Sequence, residues 1–293
     1  MSWLFGRMKS VKGDVVLITG GSMGIGRLMA LKFAKLGAIV VIWDLNEELG
    51  AQVVDEIKAL GTAPPAHYYK MDVTNHELVY STAQQVIEKL GGVDILINNA
   101  GIVAGKPILE CSDSMVARTM DVNATSHIWT IKAFLPGMVK RNKGNVVSIA
   151  SAAGIFGCGG MVDYCASKFA AVGIMVSLRQ ELQAMGKNGV HCTLVCPSFI
   201  KTGMFEGVQP PRFTTWLSPE YVAESIVRAV RRNQWRLLMP NVLYMLEMVM
   251  ALVPDWLAVW LVKFTRVAHS MQHFTQTRPH AMIADKEEAK KSQ

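Results

Sequence analysis

Apolar runs of strand length alternate along this chain with segments whose apolar residues recur at helical spacing. The strand-like runs fall at residues 14–19, 38–43, 66–71, 93–97, 146–150, 190–196 and 237–239. Helical patterns occupy residues 27–36, 47–60, 76–90, 113–139, 161–185 and 219–232. In the first of these, Leu28, Leu31, Phe33, Ala34 and Leu36 make one apolar face. Short, near-continuous apolar strands separated by helices predict an α/β fold: a doubly wound, seven-stranded parallel sheet with both faces covered. No linker rich in Pro, Gly or Ser divides the pattern, and no repeat appears. One domain over residues 13–240 follows.

Outside that domain the pattern changes. Residues 1–12 form a tail with Trp3, Leu4 and Phe5 ahead of Arg7, Lys9 and Lys12. Its apolar stretch falls well short of the ~20 residues a membrane span needs; a small amphipathic anchor and a disordered tail both fit. Residues 241–283 form an apolar helical extension. Pro240 and Pro254 bracket its first run, and Trp256 and Trp260 stand in its second. Two short helices of this kind either cover a cleft, pack on a second subunit or dip into one lipid leaflet. Residues 284–293 are polar and read as a mobile tail.

Between the first strand and first helix lies Thr19-Gly20-Gly21-Ser22-Met23-Gly24-Ile25-Gly26. Small residues there let the backbone approach a pyrophosphate, and the following helix offers amide donors at its N-terminus. The alternative is a turn that merely needs glycine. The second strand ends at Asp44, placed to accept hydrogen bonds from ribose hydroxyls and to repel a phosphate on the same ribose. With no Lys or Arg between Gly20 and Gly26, NAD is favoured over NADP, although Arg27 lies one residue beyond. Asp44 reads alternatively as a cap for the helix starting near Asn46.

Further along, Ser151 precedes Tyr164-Cys165-Ala166-Ser167-Lys168. Tyr164 and Lys168 are four apart and share a helix face. A cation beside the phenol favours tyrosinate, which predicts a Tyr164 pKa below the usual ~10. Ser151, arriving from a strand end, would hydrogen-bond the same substrate oxygen.

With these motifs in this order, the chain resembles the short-chain dehydrogenase/reductase family over roughly residues 12–240. The resemblance implies a Rossmann-type fold and assigns further positions. Asn99, Ala100 and Gly101, from Asn98-Asn99-Ala100-Gly101, would border the cofactor. Asp72-Val73 would meet the adenine, and Asn123 falls at a catalytic asparagine. Pro197-Ser198-Phe199-Ile200-Lys201-Thr202 is similar to the segment that holds the nicotinamide amide, with Pro197 and Thr202 in place and Ser198 where glycine is usual. Within the cradle, Ser22, Met23 and Ile25 would line the dinucleotide beside Gly20, Gly24 and Gly26. Tyr164 and Lys168 would touch it from the catalytic side. Ser148 is an alternative to Ser151, at a spacing wrong for the family.

Residues 170–187, residues 197–203 and the apolar extension resemble the retinol dehydrogenase and 17β-hydroxysteroid dehydrogenase branch associated with membranes and lipid droplets. That likeness implies an NAD-dependent exchange of a lipophilic alcohol with its carbonyl, a homodimer or homotetramer paired through helices 113–139 and 161–185, and a cytosol-facing or peripheral membrane location. The branch's hydrophobic N-terminal anchor has no counterpart here. Ile155, Phe156, Met161, Met204, Phe205 and residues 213–217 are candidates for the substrate wall. Core packing accounts for each of them equally well. A dinucleotide-binding scaffold at a lipid surface, with little or no turnover, is the competing class; the full Asn-Ser-Tyr-Lys set argues against it.

Composition removes other classes. The net charge of +7 is spread along the chain without a dense basic block, so nothing supports nucleic-acid binding. The five cysteines form no Cys-x-x-Cys pair, and Cys192 with Cys196 has strand spacing. His269 and His273 lack a neighbouring acid or thiol, so no metal site is expected.

Overall fold

A computed structural model describes residues 8–205, 207–208 and 215–265. The expectations for residues 1–7, Phe213, Arg266, His269, His273 and the polar tail lie outside the described residues. The elements run β1 (Val15–Thr19), α1 (Gly24–Lys35), β2 (Ile39–Asp44), α2 (Glu47–Ala59), β3 (His67–Lys70), α3 (His76–Leu90) and β4 (Ile95–Asn98). The second half runs α4 (Asp113–Met120), α5 (Ser126–Arg141), β5 (Gly144–Ile149), α6 (Val162–Ala184), β6 (Val190–Pro197), α7 (Pro219–Arg231) and β7 (Arg236–Met239). The extension supplies α8 (Val242–Leu252) and α9 (Asp255–Thr265). All seven strands are parallel in the order β3-β2-β1-β4-β5-β6-β7. The reversal between β1 and β4 opens the crevice where ligands bind in such sheets.

Local chemistry sets the helix starts. Asn46, Asn75 and Ser218 cap α2, α3 and α7 by accepting from the amides of Leu49, Leu78 and Tyr221. Pro219 opens α7, where its missing N–H costs nothing. The cap of α2 is therefore Asn46, and Asp44 is left in β2 with its carboxylate available for another role. The long helix expected at residues 113–139 contains a π turn over Asp121–Thr125 between α4 and α5.

Two apolar layers sandwich the sheet. One packs Leu17, Val41 and Trp43 against α3, α5 and α6, with Trp43 tilted on Phe134 at 5.5 Å between ring centroids. The other packs Val16, Ile18 and Ile42 against Met29 and Phe33 of α1 and Ile226 and Val230 of α7. The N-terminal segment is packed from Lys9 onward, not free to residue 12. The Lys9 amide donates to Arg231 O at 2.8 Å, Arg231 Nε donates back to Lys9 O at 3.1 Å, and Val11 is buried.

The two extension helices differ. Helix α8 is tied to β7 by the Arg236–Glu247 ion pair at 2.7 Å and by Tyr244 Oη, which donates to Arg236 O and accepts from the Leu238 amide. Its Leu243 is buried, whereas Met245, Met248 and Leu252 face outward with Trp256, Val259 and Trp260 of α9. Among the described residues no helix is long and apolar enough to cross a membrane.

Candidate active site

The cofactor end is built from backbone. Beyond β1 the chain turns through Gly20 and Gly24, whose φ of +62° and +54° lie in the left-handed region. Helix α1 begins at Gly24, earlier than its apolar pattern suggested, so Ile25 and Gly26 belong to its first turn. Met23, at the N-cap, supplies no side-chain hydrogen bond to that turn. The first-turn amides thus point to the crevice without a capping side chain, an arrangement that suits a pyrophosphate. Space is tight: a Cβ on Gly20 would stand 2.9 Å from Ala100 Cα, and one on Gly26 would collide with Gly20 O.

Asn99 holds this turn to β4. Its Nδ2 donates to Thr19 O and Gly20 O, both at 2.9 Å, while Thr19 Oγ1 accepts from the Asn99 and Ala100 amides at 2.9 and 3.0 Å. At the β2 terminus, Asp44 Oδ2 accepts from the Ser22 amide at 3.0 Å, bringing the carboxylate to the glycine turn. Arg27 is occupied: its guanidinium grips Glu56 through two nitrogens. Both partners are more than a third exposed, so the pair adds at most about 1 kcal/mol of stability. Its consequence is that Arg27 is directed away from Asp44's ribose role. Asp72 accepts from Thr74 and from Arg118 at 3.1 Å; burial pushes its pKa up, but these contacts outweigh it and leave the carboxyl below its ordinary range. Val73 beside it is buried. This cradle fits a nicotinamide dinucleotide.

The catalytic end joins three elements. The Ser151 hydroxyl follows β5, accepts from the Ala153 amide at 3.1 Å and shares a hydrogen bond with the Tyr164 hydroxyl. Helix α6 carries Tyr164 and Lys168 one turn apart, with Lys168 Nζ 5.6 Å from the phenol ring centroid and donating to Ile149 O at 3.0 Å. Asn123 sits in the π turn. Its Oδ1 accepts from the Ile102 amide at 2.8 Å; its Nδ2 donates to Ile102 O at 2.9 Å and to Ser167 Oγ at 3.0 Å. A Cβ on Gly101 would lie 3.3 Å from Asn123 Oδ1 and 3.5 Å from Lys168 Nζ, so both side chains converge on that glycine. The site stands assembled.

Burial rather than charge sets its protonation in the chain alone. Desolvation lowers Lys168 to about 8, only partly offset by Cys196. Desolvation also raises the Tyr164 hydroxyl above its ordinary value, with the Ser151 hydrogen bond opposing it. The expected lowering by Lys168 is therefore reversed, because the ammonium lies over the ring and not at the oxygen. Ser148 plays a different part. Wholly buried, it pairs with His127 Nδ1 at 3.1 Å. Burial first, and the Lys168 charge second, lower the His127 pKa to about 3, so this imidazole is neutral.

A third apolar cluster packs at Tyr164. It contains Val103, Met161, Cys165, Phe205 and Val208, with Phe199, Met204 and Trp216 against it. Met161, Met204 and Phe205 thus fall where the wall was expected. Ile155 and Phe156 instead pack on the large cluster beneath the sheet. Val103 and Phe199 were missed, since nothing in an apolar residue's local sequence separates wall from core. Ser198 adopts no positive φ, so the turn next to Pro197 accepts serine in the glycine position. The Thr202 amide donates to Ile200 O at 2.8 Å, closing that turn. No group of three metal-ligating side chains occurs among the described residues.

Comparison with known proteins agrees with this geometry. A family model described as short chain dehydrogenase matches residues 14–212. Epidermal retinol dehydrogenase 2 of Mus musculus is 43% identical over 269 residues, covering 91% of this chain and 87% of that protein. Retinol dehydrogenase 10-B of Danio rerio is 40% identical, covering 93% and 88%. Among solved structures, a short chain dehydrogenase/reductase from Burkholderia phymatum in complex with NAD superposes with a TM-score of 0.75 at 29% identity, covering 83% of this chain and 95% of that one. A metagenomic short-chain oxidoreductase in complex with NADP gives 0.67 at 27% identity, covering 79% and 97%.

Proposed function

Since the chain belongs to the short-chain dehydrogenase family and is an oxidoreductase of the alcohol dehydrogenase type, we propose that it interconverts a lipophilic alcohol and its carbonyl with NAD as hydride carrier. The observation that carries this reading is a Tyr164 hydroxyl held by Ser151, one turn from Lys168 and set in an apolar cluster. In oxidation Tyr164 takes the substrate's hydroxyl proton, and in reduction it returns one. Ser151 fixes the reacting oxygen. Bound NAD accepts the hydride from the carbinol carbon, and its positive ring favours the tyrosinate. Lys168 binds the nicotinamide ribose, and Asn123 keeps Gly101 and Ile102 in place beside the ammonium. NAD over NADP is supported by Asp44 at the glycine turn and by the engagement of Arg27 with Glu56.

Retinoids, steroids and long-chain alcohols are the substrate class, supported by the retinol dehydrogenase relatives and the apolar cluster. The outward face of α8 and α9 supports peripheral contact with a lipid surface, from which such a substrate would enter. Exposed Ile128 on α5, with Phe169 and Val176 on α6, supports a homodimer or homotetramer. The test is NADH absorbance with a panel of these alcohols, using NAD and NADP in parallel. Turnover should be faster with NAD and fall about 10²–10⁴-fold in Tyr164→Phe with NADH binding retained. Full turnover by that variant would refute the chemical assignment. A wild-type chain that binds NADH and turns over nothing would favour the scaffold.

A further inference from the structure

The ring of Phe205 stands edge-on to the ring of Tyr164, with centroids 5.9 Å apart and planes at 83°. Phe199 stands edge-on to Phe205 in turn, at 5.4 Å and 89°, and Trp216 lies against Phe199 at 6.0 Å. The three outer rings thus form a chain that ends on the catalytic phenol. Tyr164 is 5% and Phe205 9% exposed, so the phenol is shut from solvent with Phe205 packed upon it.

The backbone beneath these rings divides them into fixed and movable. Leu217 donates its amide to Phe199 O at 2.9 Å and accepts from the Lys201 amide at 3.1 Å, forming a bridge between Ile200 and Leu217. Phe199 and Trp216 flank that bridge and are held by it. Phe205 comes later, beyond Gly203, which has a φ of +75° and no heavy atom within 4 Å of where a Cβ would sit. Glycine in open space lets the following residues swing, and Phe205 is kept in place by ring contacts.

We propose that Phe205 is the specificity-determining residue of this site. It covers Tyr164 until a substrate with a large apolar body displaces it, and Phe199 and Trp216 then pack against that body. The proposal rests on the reading of Tyr164 as the proton-transfer group, because a substrate oxygen must reach a hydroxyl whose ring Phe205 occupies. Opening breaks the two edge-to-face pairs that Phe205 makes. Pairs of this kind together correspond to roughly a ten- to hundredfold population of the closed arrangement. A small alcohol brings too little apolar surface to offset that loss, so it reacts from the minor open state. A long or polycyclic alcohol replaces the lost contacts with its own against Phe199 and Trp216. Selection for lipophilic substrates therefore resides in the cover as well as in the wall.

The test compares hexanol and cyclohexanol with retinol, in wild type and in Phe205→Ala, by NADH production. Phe205→Ala should raise kcat/KM for the two small alcohols about ten- to hundredfold and leave retinol unchanged or lower, collapsing the ratio between them. NADH fluorescence titration of the variant establishes that the cradle is folded, and Phe205→Leu serves as a milder second variant with a smaller change in the same direction. A retinol-to-hexanol ratio unaltered in both folded variants would overturn the proposal. Tyr164→Phe separates the two ideas. If it retains turnover, the chemical reading fails by itself; if it is inactive while Phe205 variants leave the ratio fixed, only the cover fails.

Discussion

At the glycine turn, main chain is held against main chain: Asn99 and Thr19 bind the backbone of both strands, and no room remains for a methyl group on Gly26. At Tyr164 the contacts are side chain on side chain, rings and methionines without a polar tie. One end of the cleft fixes residue identity because backbone hydrogen bonds and close approaches admit few substitutes. The other fixes only apolar character and volume, which many residues supply. A constant ligand moiety suits the first kind of wall, and a variable one suits the second.

The sharpest way to break that contrast is a single methyl group. Gly26→Ala places a Cβ against Gly20 O and 2.8 Å from Asn99 Nδ2, both already locked by hydrogen bonds. The turn must shift, and a displacement near 1 Å lowers turnover by about 100-fold. The same change at Gly173, in α6 with nothing within 4 Å of its Cβ position, should instead stabilise by about 0.5–1 kcal/mol. NADH titration and thermal melts of the two variants check the pair. Equal behaviour would show that the cradle tolerates side chains and that its rigidity has been misjudged.

The same contrast explains what the sequence disclosed. Gly20, Gly24, Gly26, Asn99 and Asp44 were legible because each is demanded by a backbone geometry or a charge that few residues provide. The sheet was legible because strands buried on both faces must be apolar throughout. The start of α1 was not, since Gly24–Gly26 carry no apolar face to mark a first turn. Nor was the direction of the Tyr164 pKa, because spacing reports a neighbouring Lys but not burial. Ile155 and Phe156 went to the core, and Phe199 to the wall, because an apolar side chain does not announce which apolar surface it meets.

At the apolar end the comparison extends to α9. Its Trp256 and Trp260 are 72% and 56% exposed, whereas α8 is anchored by Arg236–Glu247 and Tyr244. Ending the chain after Val253 should therefore remove the outer face and leave β7 covered. Burying one large apolar side chain is worth about 1.5–3 kcal/mol. Full-length protein should accordingly float with anionic liposomes, and the shortened form should partition more than about tenfold less while still binding NADH. Wild-type protein remaining in the aqueous fraction on neutral and anionic vesicles alike would assign this face to a subunit contact.

The smallest expected effect concerns the polar layer between the two ends, where His127 meets Ser148 beneath Lys168. Its folded pKa of about 3 lies below the ordinary 6.5, lowered by burial and then by the Lys168 charge. Between those two values the unfolded chain binds the extra proton, so stability is complete above pH 6.5 and declines as the pH falls towards 3. At about 1.4 kcal/mol per unit, moving from pH 6.5 to 5 should cost ~2 kcal/mol through this side chain. His67 and His191 are lowered too, by burial foremost, so wild-type acid sensitivity has several sources. The difference between wild type and His127→Gln isolates one of them. Glutamine keeps a hydrogen-bonding group near Ser148 and cannot take a proton. Urea midpoints at pH 7 and pH 5 should therefore fall less in the variant, by the equivalent of ~2 kcal/mol. An identical fall in both would mean that His127 is already protonated, or that the layer admits water enough to stabilise its charge.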